Sequence, residues 1–225
     1  MAWFAERGVT LERSGSEREY AGAVHGVDGV ELVLLSAGEI PRELAAGRIH
    51  LGVTGLDLVE EELLPGAAVP IRALGFGNAD LMVAVPAFWI DVTTVDDLDA
   101  VAAEVRAAHG HRLRVATKYH NLTRAFFGAR GVADYQLVDS QGATEGTVRN
   151  GTAEAIADIT TTGATLRANH LRTLEDGIIL RSQAMLFAAS TAPWGDEGTR
   201  RDFGFLLGAL DLPAPDVPPW DDKIL

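Results

Sequence analysis

Short apolar runs alternate along this chain with segments whose apolar positions recur every three or four residues, and that alternation predicts an α/β architecture. The strand candidates are "VELVLLS" (30–36), "IHLGVTG" (49–55), "ADLMVAVP" (79–86), "RLRVATK" (112–118), "YQLVDS" (135–140), "EAIADIT" (154–160), "GIILRS" (177–182) and "AMLFAAS" (184–190). Between them, "PRELAAGR", "VDDLDAVAAEVRAAHG" and "NLTRAFFGARG" have helical spacing, the last closing on Gly131 where a left-handed C-terminal cap belongs. The strand ending at Pro86 and the one beginning near Gly177 read as two crossings between lobes. Residues 1–86 with 177–225 then make one discontinuous domain, and 87–176 an inserted second one. The end of the chain, "DLPAPDVPPWDDKIL", carries four prolines and predicts an extended, loosely attached stretch. In it, Trp220 is either an anchor on the body or a stray aromatic.

Composition narrows the function classes. Hydrophobic residues are 47% and charged residues 23% of 225, the balance of a globular chain able to bury its own core. No run reaches the length of a membrane span, and "MAWFAERGVTLERSG" lacks the basic start and apolar stretch of a signal peptide, so a cytoplasmic location is expected. Zero cysteines leave no disulfide framework and no thiolate metal site. A formal net charge of −13 repels a polyanion over most of the surface and argues against nucleic-acid binding. Any site for an anionic metabolite must therefore be local.

One stretch has the chemistry for it. In "ADITTTGATL" (157–166) a strand runs into Thr160, Thr161, Thr162 and Gly163, and a helix is predicted from about Ala164. Free N–H groups at a helix start, threonine hydroxyls and a glycine that admits close approach together suit a phosphate. Asp158 at the mouth of such a seat repels a phosphate unless it meets hydroxyls, and ribose hydroxyls lie at a fixed distance from a sugar's 5′-phosphate. The pairing suggests a ribose 5-phosphate group; the alternative is a strand-end acid followed by a threonine-rich cap.

Two further strand-to-turn-to-helix segments repeat the logic. "RVATKYHNLTR" (114–124) offers Thr117 or Asn121 as a cap, with Lys118 and Arg124 as cations beside the helix start. "LGVTGLDLVEEELL" (51–64) places Thr54 and Gly55 in the turn and Asp57 in the first helical turn, where it also complements the macrodipole. The loop "QGATEG" (141–146) carries Glu145, a second acid able to share sugar hydroxyls or hold a metal-bound diphosphate. Surface charges, a dipole partner and a solvated turn are the competing readings of these segments. In open α/β sheets such turns gather at one ligand crevice, expected here as a cleft between lobes.

Taken together, "LGVTGLD", "LGFGNADLMVAVP", "RVATKYHNLTR", "ADITTTGATLRAN" and "ILRSQA" resemble, in order and spacing, the ATP phosphoribosyltransferase family of histidine biosynthesis, with the likeness running from about Ala2 to Ser190. The resemblance implies a two-lobed, periplasmic-binding-protein-like (type II) α/β fold. It implies transfer of phosphoribosyl from 5-phosphoribosyl 1-diphosphate to N1 of ATP, releasing diphosphate, with Mg2+ carried on the diphosphate and not ligated directly. By the family's pattern Thr161, Thr162, Gly163, Ala164, Thr165 and Leu166 would cradle the 5′-phosphate, while Asp158 and Glu145 would face the sugar hydroxyls. Lys118 and Arg124 would sit near anionic groups, and Thr54, Gly55 and Asp57 toward the nucleotide. No general base is assigned, because adenine N1 already carries a lone pair.

The chain departs from the pattern at two places. It opens at "MAWFAERG", as if inside the family's first helix, so the preceding strand and basic loop are expected to be missing. The usual Cys-Arg pair after "GFG" is replaced by Ala79 and Asp80. Only 35 residues follow Ser190, which resembles a short form without a histidine-binding domain. A short form implies a hetero-oligomer with a regulatory subunit similar to histidyl-tRNA synthetase. The alternatives are a two-lobed small-anion binding module, or an impaired subunit of the same complex.

Overall fold

The computed structural model describes residues 1–13, 21–216 and 218–221. In chain order the elements are α1 (Ala2–Ala5), β1 (Thr10–Arg13), β2 (Ala21–His25), β3 (Leu32–Val33), α2 (Ile40–Ala45), β4 (Leu51–Gly55), α3 (Leu56–Glu62), β5 (Ala68–Ala73) and β6 (Ala79–Pro86). There follow α4 (Val95–His109), β7 (Leu113–Thr117), α5 (His120–Arg130), β8 (Tyr135–Asp139), α6 (Gly146–Arg149), β9 (Ala155–Thr160), α7 (Ala164–Ala168), β10 (Leu171–Ser182), β11 (Ala184–Ala189) and α8 (Glu197–Ala209). They fall into two units, Met1–Phe76 with Ala184–Leu225, and Gly77–Gln183. The divisions at 76/77 and 183/184 differ from the 86/87 and 176/177 expected from the sequence, because β6 and β10 pair with each other along most of their length and so belong whole to the second unit.

That second unit is built on one five-stranded sheet of order β10-β6-β9-β7-β8. Strands β9, β7 and β8 run parallel, while β6 is antiparallel to both β9 and β10. The central strands carry nearly continuous apolar residues, as parallel strands covered on both faces must. On one face Val83, Val85, Val115, Ala155 and Ala157 pack with Leu98 and Ala102 of α4 and Phe127 of α5. On the other, Ala84, Ala116 and Ile156 meet Leu166 and Leu171. Helix α5 closes on Gly131 at φ 75°, the left-handed cap the sequence predicted. Strand β10 starts six residues earlier than "GIILRS" because Arg172 and Thr173 still pair with Val85 and Ala84. The register then shifts between Thr173 and Ile178, and there Asp176 accepts from the Val95 amide at the start of α4 (2.9 Å) and from Arg130 (2.6 Å).

In the first unit β4 and β5 flank β11, both antiparallel to it, and β1, β2 and β3 form a separate small sheet. The apolar run at 30–36 does not become a full strand: only Leu32 and Val33 pair with β2, and Val33 is half exposed. Helix α8 is held by an N-cap, Asp196, which accepts from the amides of Gly198 (3.2 Å) and Thr199 (3.3 Å). Its Phe203 and Leu207 pack with Phe187, Trp194 and Trp220. Trp220 is the anchor rather than the stray aromatic, its ring centroid 5.4 Å from that of Trp194 and 5.9 Å from that of Phe203. Val217 and residues 222–225 of the proline-rich end lie outside the described residues.

Candidate active site

Three parallel strands deliver their C-terminal ends to one edge of the sheet: Thr117 of β7, Asp139 of β8 and Thr160 of β9. Because β6 runs the other way, its first residues reach the same edge, with Asp80 opposite Thr160. Ligands in open α/β sheets lie outside the carboxyl ends of the strands, where successive turns leave polar groups free of the ladder. At this edge a pocket of about 450 Å³ is lined by Glu145, Asp158, Ile159, Thr160, Thr161, Thr162, Ala164, Thr165 and Leu166.

The turn from β9 into α7 is organised by its own hydroxyls. Thr160 Oγ1 accepts from the Gly163 amide (2.9 Å), and Thr162 Oγ1 from the Ala164 amide (3.3 Å). Gly163 is the N-cap at φ 68°, a conformation that a residue with a Cβ resists. The amides of Thr165 and Leu166 precede the first intrahelical bond into the turn, from Arg167 N–H to the Gly163 carbonyl (3.0 Å). Thr161, Thr162 and Thr165 are exposed, whereas Leu166 anchors the turn in the core. Helix α7 has only 5 residues, so its dipole is small and the donors of the turn itself are what an anion meets.

Asp158, half buried on β9, accepts from the Ile159 amide at 2.8 Å. Burial pushes its carboxyl above the usual aspartate range; the Ile159 amide, the Thr144 hydroxyl and the Lys118 charge oppose that rise, and the Glu145 charge adds to it. Lys118 and Glu145 are thereby each within electrostatic reach of Asp158. Lys118 is exposed, with Nζ 5.0 Å from the Tyr119 ring centre. Beyond them, Asp139 accepts from Gln141 (2.9 Å) and lies 3.1 Å from His120 Nε2, contacts that hold its carboxyl below the usual range.

Other expected residues have different surroundings. The start of α5 carries no side-chain cap: Thr117 Oγ1 accepts from the Tyr119 amide (2.9 Å), ahead of the helix. Arg124 is exposed, its nearest described partner being Asn121 at 3.4 Å. Thr54, Gly55 and Asp57 belong to the first unit. There Thr54 is buried and donates to the Ala37 carbonyl (2.8 Å), and Asp57 is buried in the first turn of α3. A hollow of about 680 Å³ in that unit is lined by Gly26, Val27, Asp28, Gly29, Arg201, Asp202, Phe205 and Ala209, with Arg201 already paired to Asp202 at 3.2 Å.

Two residues escaped the sequence reading. Ser140 and Thr144 are buried at the base of the loop that carries Glu145, with Ser140 Oγ donating to Thr144 Oγ1 at 3.1 Å. The signal was present as hydroxyls in the same loop as Glu145, but burial of the loop's base is not visible in its polar letters.

Comparison with known proteins bears on all of this. The sequence model of the ATP phosphoribosyltransferase family matches residues 36–200. An ATP phosphoribosyltransferase of Cereibacter sphaeroides is 66% identical over 217 residues, which is 96% of this chain and 91% of the relative. One from Rhodopseudomonas palustris strain BisA53 is 55% identical over 197 residues, covering 87% of this chain but 61% of the relative. The chain thus spans about three fifths of that second protein. Among solved structures, the ATP phosphoribosyl transferase (HisG:HisZ) complex from Thermotoga maritima aligns with a TM-score of 0.67 at 20% identity, over 94% of this chain and 89% of that one. This likeness, at 20% identity, shows a shared α/β fold. The chain belongs to the ATP phosphoribosyltransferase family, the pentosyltransferases of histidine biosynthesis.

Proposed function

We propose that this chain performs its family's reaction, transferring phosphoribosyl from 5-phosphoribosyl 1-diphosphate to N1 of ATP, and that the pocket at the end of β9 is where the sugar substrate binds. The observation carrying this reading is a pocket that combines a threonine-rich turn with two carboxylates, Asp158 and Glu145. Thr161, Thr162, Gly163, Ala164, Thr165 and Leu166 form the seat of the 5′-phosphate, with the Thr165 and Leu166 amides and the exposed threonine hydroxyls as its donors. Asp158 and Glu145 accept from the ribose hydroxyls. Lys118 and Arg124 draw in the remaining anionic groups, and Thr54, Gly55 and Asp57 serve the nucleotide.

In the reaction the lone pair of adenine N1 forms a bond to C1 of the ribose as the C1–O bond to diphosphate breaks, its electrons leaving with diphosphate. Positive charge grows on the ribosyl centre in between. No group of the chain has to remove a proton before that step. Its work is to hold both reactants in line and to set negative charge near the developing cation, the two largest contributions available to a site without a covalent step. Asp158 and Glu145 do both when ionised.

The family's reaction needs a divalent metal, and we read it as magnesium carried on the diphosphate. Such an ion keeps several waters, and a pocket with Glu145 and Asp158 in it suits it through those waters, with no direct ligand from the chain. When bound it neutralises charge on the leaving diphosphate. The partner is read as a histidyl-tRNA-synthetase-like subunit, supported by the HisG:HisZ complex that shares this fold. Feedback by histidine then resides in that subunit. A bare anion-binding module is the weaker reading, since it gives no role to two carboxylates beside a phosphate seat.

Asp158→Asn keeps the shape and removes the charge. Turnover, followed as absorbance growth from the N1-ribosylated adenine with magnesium and the partner present, is expected to fall about tenfold to a thousandfold, roughly 1.4–4 kcal/mol of transition-state stabilisation. Unchanged kinetics would remove Asp158 from the site.

A further inference from the structure

The pocket at the end of β9 sets a phosphate seat beside two acids, and the donors of the seat itself are neutral. Amides and threonine hydroxyls carry no net charge, α7 is only 5 residues long, and Asp158 and Glu145 line the same hollow. A phosphate monoester enters with about −1.5 to −2 charges near neutral pH. In a chain of net charge −13 the balancing cation has to be held close to the turn.

Arg167 is held there. Its amide makes the first bond of α7 into the turn, to the Gly163 carbonyl (3.0 Å), and its side chain runs back toward the helix start, the direction in which helical side chains lean. The guanidinium comes to rest over the cap: Nη1 lies 3.0 Å, and Cζ 3.9 Å, from the ideal position of a Cβ on Gly163. Gly163 therefore acts in two ways, through its φ of 68° and through the space that its missing side chain leaves to the arginine.

This guanidinium has no partner of its own. The chain has 32 acidic residues for 19 basic ones, and Arg42, Arg106, Arg114 and Arg130 each hold a carboxylate. Arg167 is exposed, and among the described residues its side chain makes no ion pair, hydrogen bond or ring contact. A cation over a helix start also lies at the wrong end of the peptide dipoles, small as they are here, and an anion placed between them relieves that. The planar fork of a guanidinium presents paired N–H donors that match two oxygens of a phosphate.

We propose that Arg167 is a substrate-binding residue of this pocket: its guanidinium, resting over the Gly163 cap, takes two oxygens of the pentose 5′-phosphate and supplies the positive charge that the threonine-rich turn lacks. The acids then meet hydroxyls while the arginine meets the phosphate, so the two ends of the sugar are read by opposite charges. The inference rests on the reading that the sugar substrate seats its 5′-phosphate in this turn.

The test uses the full chain with Mg2+ and the variants Arg167→Gln, Arg167→Lys and Gly163→Val. Because the Arg167 side chain is exposed and touches no partner, Arg167→Gln should melt at the parent's temperature. Its affinity for 5-phosphoribosyl 1-diphosphate, by calorimetry, is expected to fall about tenfold, and that of Arg167→Lys about threefold, since a point charge replaces the fork. 31P NMR of the bound ligand locates the contact: between the parent and Arg167→Gln complexes the 5′-phosphorus line should move and the two diphosphate lines stay. Equal affinities in the parent and Arg167→Gln overturn the inference, and so does movement confined to the diphosphate lines. Gly163→Val, which disturbs the turn itself, separates two kinds of failure. If it weakens binding while Arg167→Gln does not, the site stands without its arginine; if neither weakens binding, the reading of the site falls as well.

Discussion

Two helix starts in the second unit both open on paired threonines and have different fates. "TTVDD" (93–97) opens α4 and "TTTGA" (160–164) opens α7. At the first, Thr94 accepts from the Asp97 amide (3.3 Å), and Asp97 accepts from the amides of Thr93 (2.9 Å) and Thr94 (2.8 Å) and from both hydroxyls. The Val95 amide is taken by Asp176. Donors there are consumed by the protein. At the second, a glycine stands where no acid can close the box, and exposed threonines surround the turn. An acid three residues after the cap makes a finished structural element. At the start of α7 only the Gly163 and Ala164 amides are taken, by Thr160 and Thr162, and those of Thr165 and Leu166 are left for a guest.

The contrast breaks most visibly if the glycine is lost. Gly163→Val forces a β-branched residue into the left-handed region at a cost of about 1–3 kcal/mol, and the turn escapes by rearranging. Affinity for 5-phosphoribosyl 1-diphosphate, measured calorimetrically, is expected to fall about tenfold to a hundredfold. At the other start the converse holds: Thr94→Ala costs about 1 kcal/mol in urea unfolding and leaves that affinity unchanged. If it weakens binding instead, the division of labour between the two starts is wrong.

The smallest effect is in acid. Four hydrogen bonds hold the Asp97 carboxyl down at about 2, against an ordinary value of 3.8. A depressed carboxyl stabilises the fold above its ordinary value and loses that contribution as pH falls through the folded one. Between pH of about 4 and 2 the parent should therefore lose stability more steeply than Asp97→Asn, in thermal melts across that range. Parallel slopes in the two proteins would show that the capping box contributes nothing there.

The local features were legible because they depend on neighbours in sequence. The run 79–86 coincides with β6, 154–160 contains β9, and "VDDLDAVAAEVRAAHG" contains α4, since apolar period and cap residues lie within a few positions. What failed also has reasons. "AVPIRA" became β5 although a proline interrupts it, because the edge of a sheet tolerates the missing donor at Pro70. Helix α8 was hidden by the prolines that follow it, although Asp196 as cap and apolar positions 203, 206, 207 and 210 have helical spacing. The first half of β10 was missed because the strand breaks register between Thr173 and Ile178, where Asp176 serves α4 and α5.

By itself the sequence determined which turns hold hydroxyls, acids and a permissive glycine, because those properties belong to residues and their immediate neighbours. Only the tertiary structure decided which turns meet. Strand order β10-β6-β9-β7-β8 is a set of pairings between distant segments, and it is the parallel run of β9, β7 and β8 that brings Asp158, Lys118 and the 140–145 loop to one edge. Burial behaves the same way: Thr144 and Ser140 read as solvated loop letters until the loop folds inward, and a hydroxyl acquires a fixed direction only when its surroundings leave its proton one acceptor.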